Sequence, residues 1–227
     1  MNSTLKEILK SREDISEYVF HFTKHSNARD TLEKILDDKS IRDVNNTGRI
    51  CFTEAPVTML PSMFSIFERY QEPMYAPYGI GIRKEYLWKL GGRPVCYGDA
   101  SEKEKFADIG IDWRFEPICP GGNDFAWLRE WRINKPEVQI TKDDSILITK
   151  TPLDRVELAN SLIDILVEAE PADGGFETFY TGRFDTVYRS VSIEEITDTI
   201  KMSKEELEKF LNEQGGEDFV PLGSGWQ

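Results

Sequence analysis

Hydrophobic residues along the chain switch between a two-residue repeat and a helical one, and the switches mark out the elements. Tyr18-Val19-Phe20-His21-Phe22-Thr23 is dense in β-branched and aromatic residues. In a strand its pleat sends Val19, His21 and Thr23 to one face and Tyr18, Phe20 and Phe22 to the other. The aromatic face is the expected core face. After Ser26 and Asn27, either of which suits a helix cap, Ala28, Leu32, Ile35 and Leu36 recur at i, i+4, i+7 and i+8 and predict a helix behind the strand. Asn45-Asn46-Thr47-Gly48 is a turn signal, followed by a second strand, Arg49 to Thr53, that ends at Glu54-Ala55-Pro56.

Met59, Leu60, Met63, Phe64 and Phe67 return to helical spacing, and a loop from Pro73 to Pro77 leads into a glycine-bearing strand, Tyr78-Gly79-Ile80-Gly81-Ile82. Further strands are expected at Pro94 to Tyr97, Val138 to Ile140 and Ile146 to Thr149. A charged stretch from Ser101 to Asp108 and a long loop from Pro117 to Asp124 intervene. In Trp127 to Ile133 the alternation turns Trp131 and Ile133 inward and Glu130 and Arg132 the other way, toward the side expected to carry His21. Thr151-Pro152 opens a helix expected to run toward Glu168, and Pro171 to Gly175 has the make-up of a linker. Beyond it lie a β-prone segment, Phe176 to Arg189, and two capping boxes, Ser192 to Glu195 and Ser203 to Glu206, that begin two short helices before Gly215-Gly216. A short helix over Leu5 to Arg12 precedes the first strand. Short strands mixed irregularly with helices predict an α+β fold rather than a doubly wound sheet.

Composition narrows the chemistry. With 28 basic and 41 acidic residues the 227-residue chain carries −13, which opposes any broad phosphate-binding face and confines a nucleic-acid contact to a local basic patch, for which Arg83, Lys84, Arg129 and Arg132 are available. Cys51, Cys96 and Cys119 have no C-x-x-C spacing, and His21 and His25 are the two imidazoles, so neither a disulfide framework nor a zinc site is expected. There is no apolar span for a membrane and no secretory leader, and the expectation is a soluble, cytoplasmic protein. No Walker motif or G-x-G-x-x-G is present.

A strand histidine, polar strand ends and a strand glutamate after a long loop are the parts needed to split the N-glycosidic bond of a nicotinamide dinucleotide. Loss of nicotinamide leaves an oxocarbenium-like ribosyl cation, which a carboxylate bonded to the ribose hydroxyl stabilises and orients. The histidine has only to hold a hydroxyl.

The run His21-Phe22-Thr23-Lys24-His25-Ser26-Asn27 resembles the opening of the DarT-type ADP-ribosyltransferases, in which a His-x-Thr strand and a nearby Asn contact NAD. A longer stretch, Val19 to Ile133, resembles the AbiGi-like abortive-infection family through four ordered blocks. These are His21-Phe22-Thr23, Ile50-Cys51-Phe52-Thr53-Glu54-Ala55-Pro56, Tyr78-Gly79-Ile80-Gly81-Ile82-Arg83-Lys84-Glu85 and Arg129-Glu130-Trp131-Arg132. The resemblance implies an ADP-ribosyltransferase-like split β-sheet core with peripheral helices, and the linker sets the expected domains at residues 1–170 for that core and 171–227 for a small C-terminal strand and helical appendage. It implies Glu130 as the catalytic glutamate, His21 and Thr23 on NAD, and Asn27 on the ribose side. Arg49, Arg83 and Arg132 are candidates for the strand-end arginine, Arg49 being nearest in order, and Tyr78 is a further candidate NAD contact. Position 128 is Leu, so the Glu-x-Glu or Gln-x-Glu pattern of arginine-modifying toxins is absent.

The implied activity is an NAD-dependent mono-ADP-ribosyltransferase toxin of an anti-phage system. Its acceptor is expected to be nucleic acid, RNA or DNA, ahead of protein, and it would require a neutralising antitoxin partner that the C-terminal helices could dock. The rival is a non-catalytic antitoxin or regulatory protein of an abortive-infection pair. Each residue also has a plainer role: His21 as a hydrogen-bonded structural histidine, Glu130 as the partner of Arg129 or Arg132, Glu54 as a helix cap, Tyr78 as a strand-shaping residue, and Trp127 and Trp131 as core anchors.

Overall fold

The structure is a computed structural model that describes residues 16–119, 126–169, 177–203, 205, 206 and 209. Its elements in chain order are β1 (Tyr18–Phe22), α1 (Ala28–Asp38), β2 (Ser40–Arg42), β3 (Ile50–Thr53), α2 (Leu60–Phe67), β4 (Gly79–Arg83), α3 (Lys84–Leu90), β5 (Arg93–Pro94), β6 (Cys96–Gly98), α4 (Lys103–Asp108), β7 (Phe115–Pro117), β8 (Glu130–Ile133), β9 (Glu137–Gln139), β10 (Ser145–Thr149), α5 (Pro152–Ala159), β11 (Asn160–Ala169), β12 (Glu177–Thr186), β13 (Arg189–Ser192) and α6 (Ile193–Ile200). The expected helix at Leu5 to Arg12, the linker, the second terminal helix beyond its capping box and part of the Pro117 to Asp124 loop lie outside the described residues. No helix among the described residues is long and apolar enough to cross a membrane.

Seven strands form the central sheet in the order β13-β10-β4-β1-β3-β8-β5, antiparallel except where β13 runs parallel to β10. The fold is thus α+β, with a mixed sheet and peripheral helices. Both faces are covered, which is why β10 and β4 read as nearly unbroken apolar runs instead of alternating with polar residues. One core joins Tyr18, Phe20, Phe22, Ile146 and Ile148 to Leu60, Met63 and Phe64 of α2 and to Ile193 and Ile196 of α6. The other joins Val19, Phe52, Ile80, Ile82, Trp131 and Leu147 to Leu32 of α1 and Leu87 of α3. Each fully buried Leu, Ile or Phe contributes about 1.5–3 kcal/mol.

Two glycines let β4 approach β1 closely. Phe20 faces Gly81 and Phe22 faces Gly79. A Cβ on Gly81 would stand 2.7 Å from Ile146 Cγ1 and 2.9 Å from Phe20 Cε1, and one on Gly79 would stand 2.5 Å from the His21 carbonyl oxygen. On its other side β1 is paired far less completely. Five residue pairs register with β4, but only Phe20↔Thr53 registers with β3, so the ladder opens beyond that pair toward Phe22.

Two expectations need correction. The helix that starts at Thr151-Pro152 stops at Ala159, and residues 160–169 instead form a long hairpin with Glu177–Thr186. The boundary expected at 170/171 lies outside the described residues, and the strands before and after it pair with each other. Moreover, β13 is a strand of the central sheet and α6 packs on its core, so residues 189–200 belong to the main fold rather than to an appendage.

Candidate functional site

His21 sits where β1 and β3 separate. Its Nδ1 lies 2.9 Å from the Cys51 carbonyl oxygen, in place of a further ladder bond, and its ring meets Phe52 edge-on with centroids 5.8 Å apart. A carbonyl only accepts, so Nδ1 carries the proton and Nε2 keeps a lone pair. Desolvation by the surrounding protein lowers the His21 pKa from 6.5. The bond to Cys51 opposes that shift, and the positive charge of Lys24 adds to it. The ring is therefore a neutral acceptor at pH 7.

The other side of Cys51 carries a second cluster. After a turn at Ala126 to Leu128, Arg129 adopts a left-handed φ of 46°, and the Leu128 carbonyl accepts the Thr53 hydroxyl at 2.6 Å, fixing the start of β8 against the end of β3. Glu130 is the first residue of β8. Its Oε1 and Oε2 accept from Arg132 Nε at 2.9 Å and Nη2 at 3.0 Å, and its carboxylate also accepts from the Cys51 thiol. The Arg132 side chain is almost wholly buried and donates as well to Glu116 at 2.5 Å and to the Phe115 carbonyl at 3.1 Å. Burial opposes its charge, but Glu130 and Glu116 outweigh that cost and hold the guanidinium protonated. Although Cys51 is exposed, desolvation around its thiol, reinforced by Glu130, pushes it up to about 12.

Two tyrosines complete this cluster. The backbone N–H of Glu130 donates to the Tyr97 hydroxyl at 3.1 Å. The Tyr75 phenol, pushed up to about 12 mainly by burial, lies within electrostatic reach of Glu130, Cys51 and Tyr97.

The expected convergence of His21 and Glu130 on one side of the sheet does not occur. Phe20↔Thr53 and Thr53↔Glu130 are successive register pairs, so these three side chains share one face, and the next row places His21 with Phe52 and Trp131 on the other. The two groups are linked through Cys51, one on its carbonyl and one on its thiol.

The remaining candidates divide. Arg49 enters β3 half-exposed, close enough to lower the Cys51 pKa, and neither it nor Lys24 has an ion-pair partner among the described residues. Both therefore stand near the β1–β3 opening. Thr23 is buried, with its hydroxyl and its N–H both given to the Tyr78 carbonyl, at 2.9 and 2.8 Å. Asn27 precedes α1, exposed and without a side-chain cap bond. The Tyr78 hydroxyl donates to Asp154 at 3.0 Å, in a network with Arg29 and the Thr151 capping box that secures α5. Glu54 neither caps a helix nor stands free: it accepts from Lys84 and from the Trp131 indole at 2.6 Å. The basic patch is not continuous, because Lys84 is spent on Glu54 and Arg132 on Glu130 and Glu116.

Sequence reasoning missed Tyr75, Tyr97, Glu116 and the central place of Cys51. The aromatic residues at 75 and 97 were visible, but only the fold brings their segments to β8. No family model, curated protein or solved structure matches this chain.

Proposed function

We propose that this chain is an NAD-dependent mono-ADP-ribosyltransferase built on an ADP-ribosyltransferase-like split sheet, acting on a nucleic-acid acceptor as the toxin of a cytoplasmic anti-phage system. The observation that carries this reading is the arrangement around Cys51. A neutral imidazole with a free acceptor nitrogen lies in the gap between two strands, and an oriented carboxylate stands across the same residue.

The groups fit the substrate. His21 Nε2 accepts from a ribose hydroxyl, while Lys24 and Arg49 meet the diphosphate. A carboxylate has about four acceptor positions. Arg132 fills two and the Cys51 thiol one, which leaves Glu130 one for a second hydroxyl. With Glu116 also on Arg132, the two carboxylates and one guanidinium sum to −1, the sign that stabilises a ribosyl cation. In the reaction the C1′–N bond breaks with its electron pair leaving on nicotinamide. The acceptor's nucleophile then bonds to C1′ and gives up a proton.

A specific observation favours the rival reading of a non-catalytic antitoxin or regulatory protein. His21 and Glu130 leave the sheet on opposite faces, and Glu130 is held two-pronged by Arg132. The two readings separate when the protein is incubated with adenylate-labelled NAD and cell extract, followed by separate nuclease and protease digestion. Nicotinamide release and nuclease-sensitive label, both lost in Glu130→Gln and His21→Ala, support the transferase. A folded wild type that releases no nicotinamide overturns it.

A further inference from the structure

A cavity of about 400 Å³, open to solvent, lies at the opposite end of β1 from the His21 gap and is lined by Arg83, Lys142, Asp143, Val187 and Arg189. Three cations in one concavity stand out on a chain of net charge −13. Topology explains the gathering. Arg83 closes β4 and Arg189 opens β13, on either side of β10, and the loop bearing Lys142 and Asp143 leads into β10 between them.

Buried Tyr18 organises both arginines. Its hydroxyl accepts from Arg189 Nη2 at 2.6 Å, and the Arg83 guanidinium lies 5.1 Å from its ring centroid. Cation–π and hydrogen-bond contacts of this kind hold the two planar forks in place before any ligand arrives, which lowers the ordering cost of binding. The opposing charges among the described residues include Asp143, in the lining, Glu17, paired with Arg83 at 3.0 Å, and Glu85, within electrostatic reach of Arg83. Glu17 is two-thirds exposed, and an exposed ion pair is weak, so a dianion displaces it readily.

We infer that this cavity binds a phosphate monoester of nucleotide size, with the phosphate between Arg83 and Arg189, Lys142 at the rim and Asp143 accepting a sugar hydroxyl. The volume suits one nucleotide, and planar guanidinium forks match phosphate oxygens. The chemistry is the same for a free mononucleotide and for the 5′-phosphorylated end of an RNA strand. NAD has no phosphate monoester, so this site and the NAD reading stand or fall separately.

The test is calorimetric titration of the full chain at low salt with inorganic phosphate, AMP, a 5′-phosphorylated octaribonucleotide and its 5′-hydroxyl twin. AMP is expected to bind, with affinity falling roughly tenfold in Arg189→Gln and about fivefold in Lys142→Glu, and less than twofold in Lys105→Glu, a charge-matched change on α4 outside the cavity. Octamer binding that exceeds AMP and depends on the 5′-phosphate identifies the RNA end as the source. Equal affinities for AMP and the phosphorylated octamer identify the mononucleotide. Absence of binding by AMP and by the phosphorylated octamer, or equal weakening by Lys105→Glu and Lys142→Glu, overturns the site. Lys142 is exposed, so its variant reads binding even if Arg189→Gln unfolds the protein.

Discussion

His21 and Glu130 grip the same residue from opposite faces of the sheet, the imidazole through the Cys51 carbonyl and the carboxylate through the Cys51 thiol. Two groups remote in sequence are thereby tied to one point of β3, and a change in either is transmitted to Cys51.

The thiol reports on the carboxylate. Cys51 and Cys119 are both exposed, but desolvation around the Cys51 thiol and then the Glu130 charge hold Cys51 up to about 12, so iodoacetamide at pH 8 should label it more slowly than Cys119. Glu130→Gln removes the second cause and should speed Cys51 labelling several-fold while leaving Cys119 unchanged, as measured by peptide mass spectrometry. Equal rates at Cys51 in both proteins would refute the coupling.

The imidazole sets a pH dependence. In the unfolded chain His21 titrates near 6.5, whereas burial lowers its folded value, so between the two the unfolded state binds more protons. Stability contributed by the neutral ring is fully present above 6.5 and is lost as pH falls from there toward the lowered folded value. Denaturation curves of wild type and His21→Asn should converge across that window as the pH drops. Parallel curves would mean that His21 is not held neutral.

Arg132 anchors the carboxylate cluster. Arg132→Ala strands Glu130 and Glu116 and frees the Phe115 carbonyl, an expected loss of about 3–5 kcal/mol in urea unfolding. Glu130→Gln keeps most of these bonds and should cost less than half as much. A loss under about 1 kcal/mol in Arg132→Ala would show that the network adds little to the fold.

Gly79 protects the strand that carries His21. A Cβ there would press on the His21 carbonyl at 2.5 Å and on Phe22 Cδ1 at 2.6 Å, so Gly79→Ala should cost about 1–3 kcal/mol and shift the His21 ring resonances in NMR spectra. Gly91→Ala meets nothing within 4 Å and strains only its φ of 106°, so it should leave those resonances in place. The same spectral change in both variants would argue against a specific contact.

Much of this fold was legible in the sequence because its elements are strongly periodic. The strand at Tyr18–Phe22, the helix at Ala28–Asp38 and the inward turn of Trp131 and Ile133 follow from residue spacing alone. Which face of one strand matches which face of another does not. The period-2 rule assigns His21 and Glu130 to faces within their own strands, and the Phe20↔Thr53↔Glu130 register then decides that those faces differ. A shift of one residue in either pairing would have brought them together. The helix expected to reach Glu168 failed for a related reason: Leu162, Ile163, Ile165, Leu166 and Val167 are apolar enough for a helix or a strand, and pairing with Glu177–Thr186 settles the choice.

The parallel seat of β13 beside β10 has a consequence for how the protein is made. Translation must proceed past Ser192 before the edge of β10 gains its neighbour, and past Ile200 before α6 can cover Ile146 and Ile148. A nascent chain stalled earlier has the His21 and Glu130 segments but leaves that sheet edge bare. The late strand and helix thus make the synthesis of residues 189–200 the point at which this sheet edge and the core beside it close.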